Sequence, residues 1–354
     1  MNKKLLTLAI GAALVSAPMF ANAAATVYGV AHLSIDMLDN GNATNSDLLT
    51  LSNNSSYLGF KAEEDLGGGT KALFGAEIQW GLDNAVSGNF NRNVFVGLGG
   101  GFGTVRLGNY DDVLKQIGRK VDFFYSEQLG ENRSLTAANS MDARLANSIN
   151  YESPKLGPVT ITANYGMANN SNETTGSDLT AYVLGVQLDM GGLYVGAAYK
   201  VREVTNATLN GKESTDAYRV TASYTIGAFK IGGLYQNFKD DSKALAANDI
   251  DQNVYGLGAS FKIGNGLIKA QYYNADAGLA AGTDGATLMA VGYDHSLSKN
   301  TIVYATYAAV DNDTTGAFQV VSGAGHGSPA EAGFNPTTAG NDPSGFSVGM
   351  RMAF

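Results

Sequence analysis

Apolar and polar residues alternate along most of this chain with a period of two. From Lys71 to Trp80, Ala72, Phe74, Ala76, Ile78 and Trp80 share one face, and Lys71, Gly75, Glu77 and Gln79 share the other, with Leu73 as the exception. From Tyr218 to Ile226, Tyr218, Val220, Ala222, Tyr224 and Ile226 alternate with Arg219, Thr221, Ser223 and Thr225. Arg144 to Glu152 sets Leu145, Asn147, Ile149 and Tyr151 against Arg144, Ser148, Asn150 and Glu152. Leu193 to Arg202 and Tyr255 to Ile263 behave alike, and the last ten residues place Phe346, Val348, Met350, Met352 and Phe354 on one side. Side chains of a strand point alternately to its two faces, so the pattern predicts β-strands with one apolar face each.

The spacing of the breaks says more. Short Gly- or Pro-marked turns fall at Leu66–Gly69, Gly99–Gly103, Pro154–Pro158, Asp189–Gly192, Ile226–Ala228, Ile263–Gly266 and Leu297–Asn300. They recur at roughly 35 residues, room for two strands of about ten to twelve residues and one long loop. The long polar segments are Leu38–Asn54, Gly81–Asn91, Asn109–Ala143, Met167–Asp178, Glu203–Asp216, Asp240–Asp251, Ala275–Gly285 and Asp311–Asp342. Seven short turns and eight long loops predict an all-β, 16-stranded antiparallel barrel. A soluble sandwich shares the alternation. The strict short-and-long asymmetry, the Tyr and Phe near strand ends (Tyr151, Tyr165, Tyr199, Tyr218) and a last strand that reaches the C-terminus favour a barrel that spans a membrane.

The N-terminus sets the compartment. Lys3 and Lys4, an apolar run from Leu5 to Val15, and Ala21-Asn22-Ala23 have the layout of a cleaved signal peptide over residues 1–23, leaving a single barrel domain at 24–354. Without Lys3 and Lys4, 21 basic residues face 32 acidic ones, net −11. That balance excludes nucleic acid as a partner. The absence of cysteine removes disulfides, thiolate metal sites and Cys nucleophiles, and three histidines give little for metal or acid–base chemistry. No cofactor, metal site or catalytic residue is predicted.

Several segments resemble the Gram-negative general porins, in their neisserial and β/γ-proteobacterial branch. They are Ala25-Thr26-Val27-Tyr28-Gly29-Val30, Leu58-Gly59-Phe60-Lys61, Glu64-Asp65-Leu66-Gly67, Asn91-Arg92-Asn93-Val94-Phe95-Val96-Gly97-Leu98, Gly100 to Gly108, Asn147 to Pro154, Gly292 to Thr301, and the closing Gly349 to Phe354. Each is weak alone, but they occur in order from end to end. The resemblance implies passage of ions and small hydrophilic solutes through a water-filled pore. It also implies a homotrimer set in outer-membrane lipid and lipopolysaccharide, and a third long loop, 109–143, that folds inward as the constriction.

That loop carries Val113, Leu114, Ile117, Val121, Phe123, Phe124, Tyr125 and Leu129, eight apolar side chains that favour packing on the wall over solvent. Its acids Asp111, Asp112, Asp122, Glu127 and Glu131 are expected to face a basic wall. Arg92 and Arg144 match wall arginines of the family by motif, and Arg106, Lys61 and Lys71 have lumen parity, whereas Arg92 shares its parity with Val94 and Val96. Acids opposite bases give a transverse field that favours polar solutes. Tyr57 and Asn109 stand where the family often has basic residues, and with the net charge of −11 the expectation is weak cation selectivity.

Other readings are a sugar-specific channel, a barrel enzyme and an adhesin. The first would need an aromatic track in the lumen, and most Tyr and Phe have lipid parity. For the second, His32, His295 and His326 suggest no catalytic arrangement. For the third, the loops specify no partner, and their acids (Asp178, Asp240, Asp241, Asp251, Asp311, Asp313) read as a solvated rim.

Overall fold

In the computed structural model every strand is antiparallel to its neighbours and the last returns to the first. The structure describes residues 25–41, 47–83, 90–125, 128–137, 141–167, 179–206, 211–278, 285–321 and 339–354. The signal-peptide expectation, His326 and Glu127 lie outside these residues.

Sixteen strands form the wall. β1 is Thr26–Asp39, and β2 runs in two lengths, Asp47–Asn53 and Tyr57–Gly67, both paired to β1. The gap holds Ser55 at a φ of 53°. Then follow β3 (Thr70–Gln79), β4 (Val94–Gly100), β5 (Gly103–Asp111), β6 (Arg144–Glu152), β7 (Val159–Gly166), β8 (Leu179–Met190), β9 (Leu193–Asn206) and β10 (Gly211–Ile226). The last six are β11 (Phe229–Asp240), β12 (Ile250–Ile263), β13 (Gly266–Ala275), β14 (Ala286–Ser296), β15 (Thr301–Asn312) and β16 (Ser344–Ala353). β16 closes on β1 from Val30↔Ala353 to Asp39↔Ser344, and the Gly29 N–H donates to the Phe354 carbonyl at 3.0 Å. Closure leaves no edge, so no backbone group is stranded in lipid.

All seven short turns lie at one rim, where they were expected. Gly67, Gly68 and Gly69 take φ values of 81°, 62° and 77°, a left-handed run that a Cβ would oppose. The apolar parity faces outward: Leu184, Val220, Leu257, Met289 and Val348 are exposed, as a lipid-facing surface requires.

One strand departs from the sequence pattern. Between β5 and β6 the register shifts after Gly108↔Ser148, and Asn147 takes a φ of 47°. This bulge turns Leu145 inward, opposite Tyr110, while Ile149 stays outward. The expectation that Leu145 shares a face with Ile149 and Tyr151 is therefore corrected.

The residues between β5 and β6 lie against the inner wall. Asp112 caps α1 (Val113–Arg119), its carboxylate accepting from the Lys115 N–H at 2.9 Å. Val113, Leu114 and Ile117 bury against Leu145, Ala181, Val183, Ala198, Ala217 and Phe238. Gly185 under Val113 and Gly196 under Ile117 leave the space for the helix. Further along, Val121, Phe124, Leu129 and Leu135 pack with Leu234, Val254, Tyr273, Leu288 and Val310. These wall residues have lumen parity. From β11 to β15 the inner face is thus partly apolar, because the loop and not water covers it.

Candidate functional site

The third loop is pinned by charge as well as by packing. Lys200, fully buried on β9, holds Asp112 at 2.6 Å and donates to the Met141 carbonyl at 2.7 Å. Arg219 on β10, also fully buried, reaches Asp142 at 3.0 Å, the Leu114 carbonyl at 2.9 Å and Gln236. Arg133, in the short helix α2 (Arg133–Thr136), pairs with Asp142 at 2.9 Å and lies 3.6 Å from Glu131. Burial would raise the Asp142 carboxyl, but Arg219 and Arg133 pull it down to about 2. Asp122 accepts from the backbone N–H groups of Phe124 and Asn132 and from the Gln271 amide, and burial pushes its carboxyl up to about 6.

These anchors lie far apart in sequence and carry a prediction. Arg219→Met leaves Gln236 and the Leu114 carbonyl without their donor and Asp142 with Arg133 alone. Breaking such a buried pair costs about 3–5 kcal/mol. The expected result is faster protease nicking between residues 113 and 136 in a barrel that stays folded, with a noisier open-channel current. Unchanged nicking would place the anchor elsewhere.

The loop covers the wall on one side, so the open lumen is bounded by β16, β1 to β6 and the near edge of the loop. Arg92 precedes β4 and escapes that strand's parity: its side chain stacks 4.4 Å from the Tyr57 ring and its Nε lies 3.4 Å from Glu77. Tyr28 donates to Glu77 at 3.0 Å. Arg106 faces the lumen between Phe95 and Tyr110, 3.6 Å from Glu152. Arg144 reaches Asp111 at 3.3 Å, and Arg119 and Lys115 reach the same carboxylate at 2.7 Å and 3.1 Å. Lys115 is buried, which lowers its amine to about 8 despite Asp111. Arg351 has lumen parity on β16 opposite His32.

Of the ten residues picked from sequence, Glu127 lies outside the described residues, Glu131 sits buried by Arg133, and the other eight part company. Arg92, Arg106 and Arg144 gather on one wall. Lys61 lies near it, 5.5 Å from the Tyr28 ring. Lys71 has lumen parity but sits exposed at the short-turn rim, paired with Glu63, away from the arginines. Asp111, Asp112 and Asp122 do not form an acidic face opposite the bases. Asp111 is enclosed by three cations, Asp112 caps a helix, and Asp122 ties the loop to itself and to Gln271. Seven of the loop's eight apolar residues pack against the wall, whereas Tyr125 is 42% exposed and stacks on Arg119 at 5.2 Å.

Sequence reasoning missed Arg119, Arg351 and Glu77 as lining residues, and the buried Lys200 and Arg219. It also missed the inward rings of Tyr28, Phe95 and Tyr110, whereas Tyr57 is placed at a wall position by motif. Two of these rings had a signal: Tyr28 lies opposite Gly59, and Phe95 opposite Gly75, each glycine making room for a ring.

Known proteins share this architecture. The family model described as Gram-negative porin matches residues 9–315. Outer membrane porin protein 32 of Delftia acidovorans is 32% identical over 370 residues, covering 100% of both chains. Major outer membrane protein P.IB of Neisseria lactamica is 27% identical, over 85% of this chain and 91% of that one. Among solved structures, an anion-selective porin from Comamonas acidovorans superposes with a TM-score of 0.79 at 28% identity, covering 94% of this chain and all of that one. A barrel, an inward loop and a basic wall in one chain are thus accounted for together: the chain belongs to the Gram-negative porin family, passive channels of the outer membrane and not enzymes.

Proposed function

We propose that this outer-membrane porin is a general diffusion channel for small hydrophilic solutes with a preference for anions. The observation that carries this reading is the charge left open to the lumen. Among the described residues of this wall, six cationic side chains (Lys61, Arg92, Arg106, Arg119, Arg144 and Arg351) stand against the three carboxylates that pair with them, Glu77, Glu152 and the buried Asp111. The loop acids Asp112 and Asp122, which could have added to them, are turned into the wall. The net charge of −11 favours cations, but exposed charges further than a Debye length of about 8–10 Å are screened from the narrowest point. The local surplus is the better guide, so the expectation of cation selectivity gives way. The anion-selective Comamonas acidovorans relative agrees with this choice.

The constriction is assigned to the loop at 109–143, on the grounds that its helix and its apolar residues occupy the inner wall. A homotrimer surrounded by outer-membrane lipid and lipopolysaccharide is the assembly we infer, as the resemblance of the motifs to the general porins implies. The test is the reversal potential of the purified protein in a planar bilayer under a KCl gradient. The expected sign is that of chloride preference, with ohmic steps arriving in threes. A cation-signed potential would sink the charge argument.

A further inference from the structure

This inference rests on the channel reading above and names a solute class for it. Along the open wall, cations and rings are interleaved. Lys61 lies 5.5 Å from the Tyr28 ring, Arg92 4.4 Å from Tyr57, Arg106 4.8 Å from Tyr110 and 5.8 Å from Phe95, and Arg119 5.2 Å from Tyr125. The rings also meet one another. Tyr28 and Tyr57 are edge-on at 6.2 Å, and Phe95 and Tyr110 are edge-on at 5.2 Å. They come from β1, β2, β4 and β5, with Tyr125 brought up by the loop against Arg119. None of these rings is fully buried, so part of each borders the lumen.

The cations have capacity to spare. Asp111 alone serves Lys115, Arg119 and Arg144. Arg92 meets Glu77 at 3.4 Å and Arg106 meets Glu152 at 3.6 Å, each through one nitrogen of a guanidinium that carries five N–H donors. A guanidinium is planar, and with one face on a ring its other face can stack on a second π system while its edge binds a carboxylate. Simple inorganic anions use only the charge. A sugar uses only the rings. The feature that uses both is a flat ring bearing a carboxylate.

We propose that this wall is a binding track for aromatic monocarboxylates, of the benzoate class, and that it favours them over aliphatic carboxylates of equal charge and similar size. The ring must contribute through its π face: stacking on Tyr57, Tyr110 and the arginine planes is open to benzoate and closed to a saturated ring.

The experiment compares sodium benzoate with sodium cyclohexanecarboxylate, added to single channels of the purified protein in a planar bilayer, with the KCl reversal potential recorded on the same membranes. Benzoate is expected to half-block the current at a concentration about fivefold lower or better. Tyr57→Leu with Tyr110→Leu is expected to bring the two half-blocking concentrations together, and Tyr57→Phe to keep them apart. Equal block in the unmodified protein overturns the proposal while leaving an anion-signed channel intact. Loss of the anion sign itself overturns the channel reading beneath it. Discrimination that survives in the double variant overturns the assignment to these rings. Should that variant fail to fold, the comparison on the unmodified protein still decides.

Discussion

Excising Asp112 to Ala138 raises the single-channel conductance about twofold or more, because a sixteen-stranded barrel is wide enough to be an open aqueous channel once nothing fills it. The segment removed carries α1, whose Val113, Leu114 and Ile117 occupy the wall of β7 to β11, and the run from Val121 to Leu135 that covers β11 to β15. The barrel survives the excision. Its backbone ladder closes without the loop, and Lys200 and Arg219, which lose Asp112 and the Leu114 carbonyl, become hydrated by pore water and are not stranded as buried charges. The cost falls on Leu234, Val254 and Leu288, which pass from contact with the loop into water at about 1.5–3 kcal/mol each. The shortened protein is therefore expected to unfold at a lower temperature on a heat-modifiability gel. Anion preference should also fall, since in a wider pore the wall charges lie further from the ion path and are screened. A conductance equal to that of the intact protein would mean that this segment does not narrow the pore.

Replacing Arg92 and Arg106 together by Glu inverts the sign of the reversal potential. Six cations against three carboxylates become four against five on the same wall. Two unit charges about 8 Å apart in water interact by about 0.5 kcal/mol, so a change of four charge units near the ion path shifts the chloride-to-potassium permeability ratio by more than about tenfold. Each new carboxylate faces its former partner, Glu77 or Glu152, from a side chain only 12–15% exposed, so the like-charge pairs cost some stability, but the closed backbone ladder does not depend on them. Folding and heat modifiability are expected to be kept. An unchanged potential in the folded variant would show that the selectivity is set outside this wall.

The contrast between Arg106 and Arg92 shows how far parity reaches. Arg106 lies within β5 between Val105 and Leu107, and alternation alone sends it to the lumen. Arg92 stands before β4 begins, where alternation no longer holds. Its place is decided by Tyr57 and Glu77, residues brought near by strand pairing. Leu145 failed for a related reason: one bulge at Asn147 turns it inward against the alternation. The acids failed for a different one. Asp112 and Asp142 look alike in sequence to any solvated loop acid, and only their partners 88 and 77 residues away make them anchors.

The sequence by itself determined the strands, the seven short turns, the lipid-facing surface and the closure of the barrel, but not the extent of the loops: Leu38–Asn54 holds the first length of β2, and Glu203–Asp216 is mostly the ends of β9 and β10. Each of the former is a periodic property that a run of about ten residues states locally, and that sixteen such runs repeat. Tertiary structure alone decided which inward residues meet the pore and which meet the loop. A charge in the lumen has no preferred partner until the loop is laid across the wall, and its contribution to the field depends on whether that partner is a carboxylate, a ring or water.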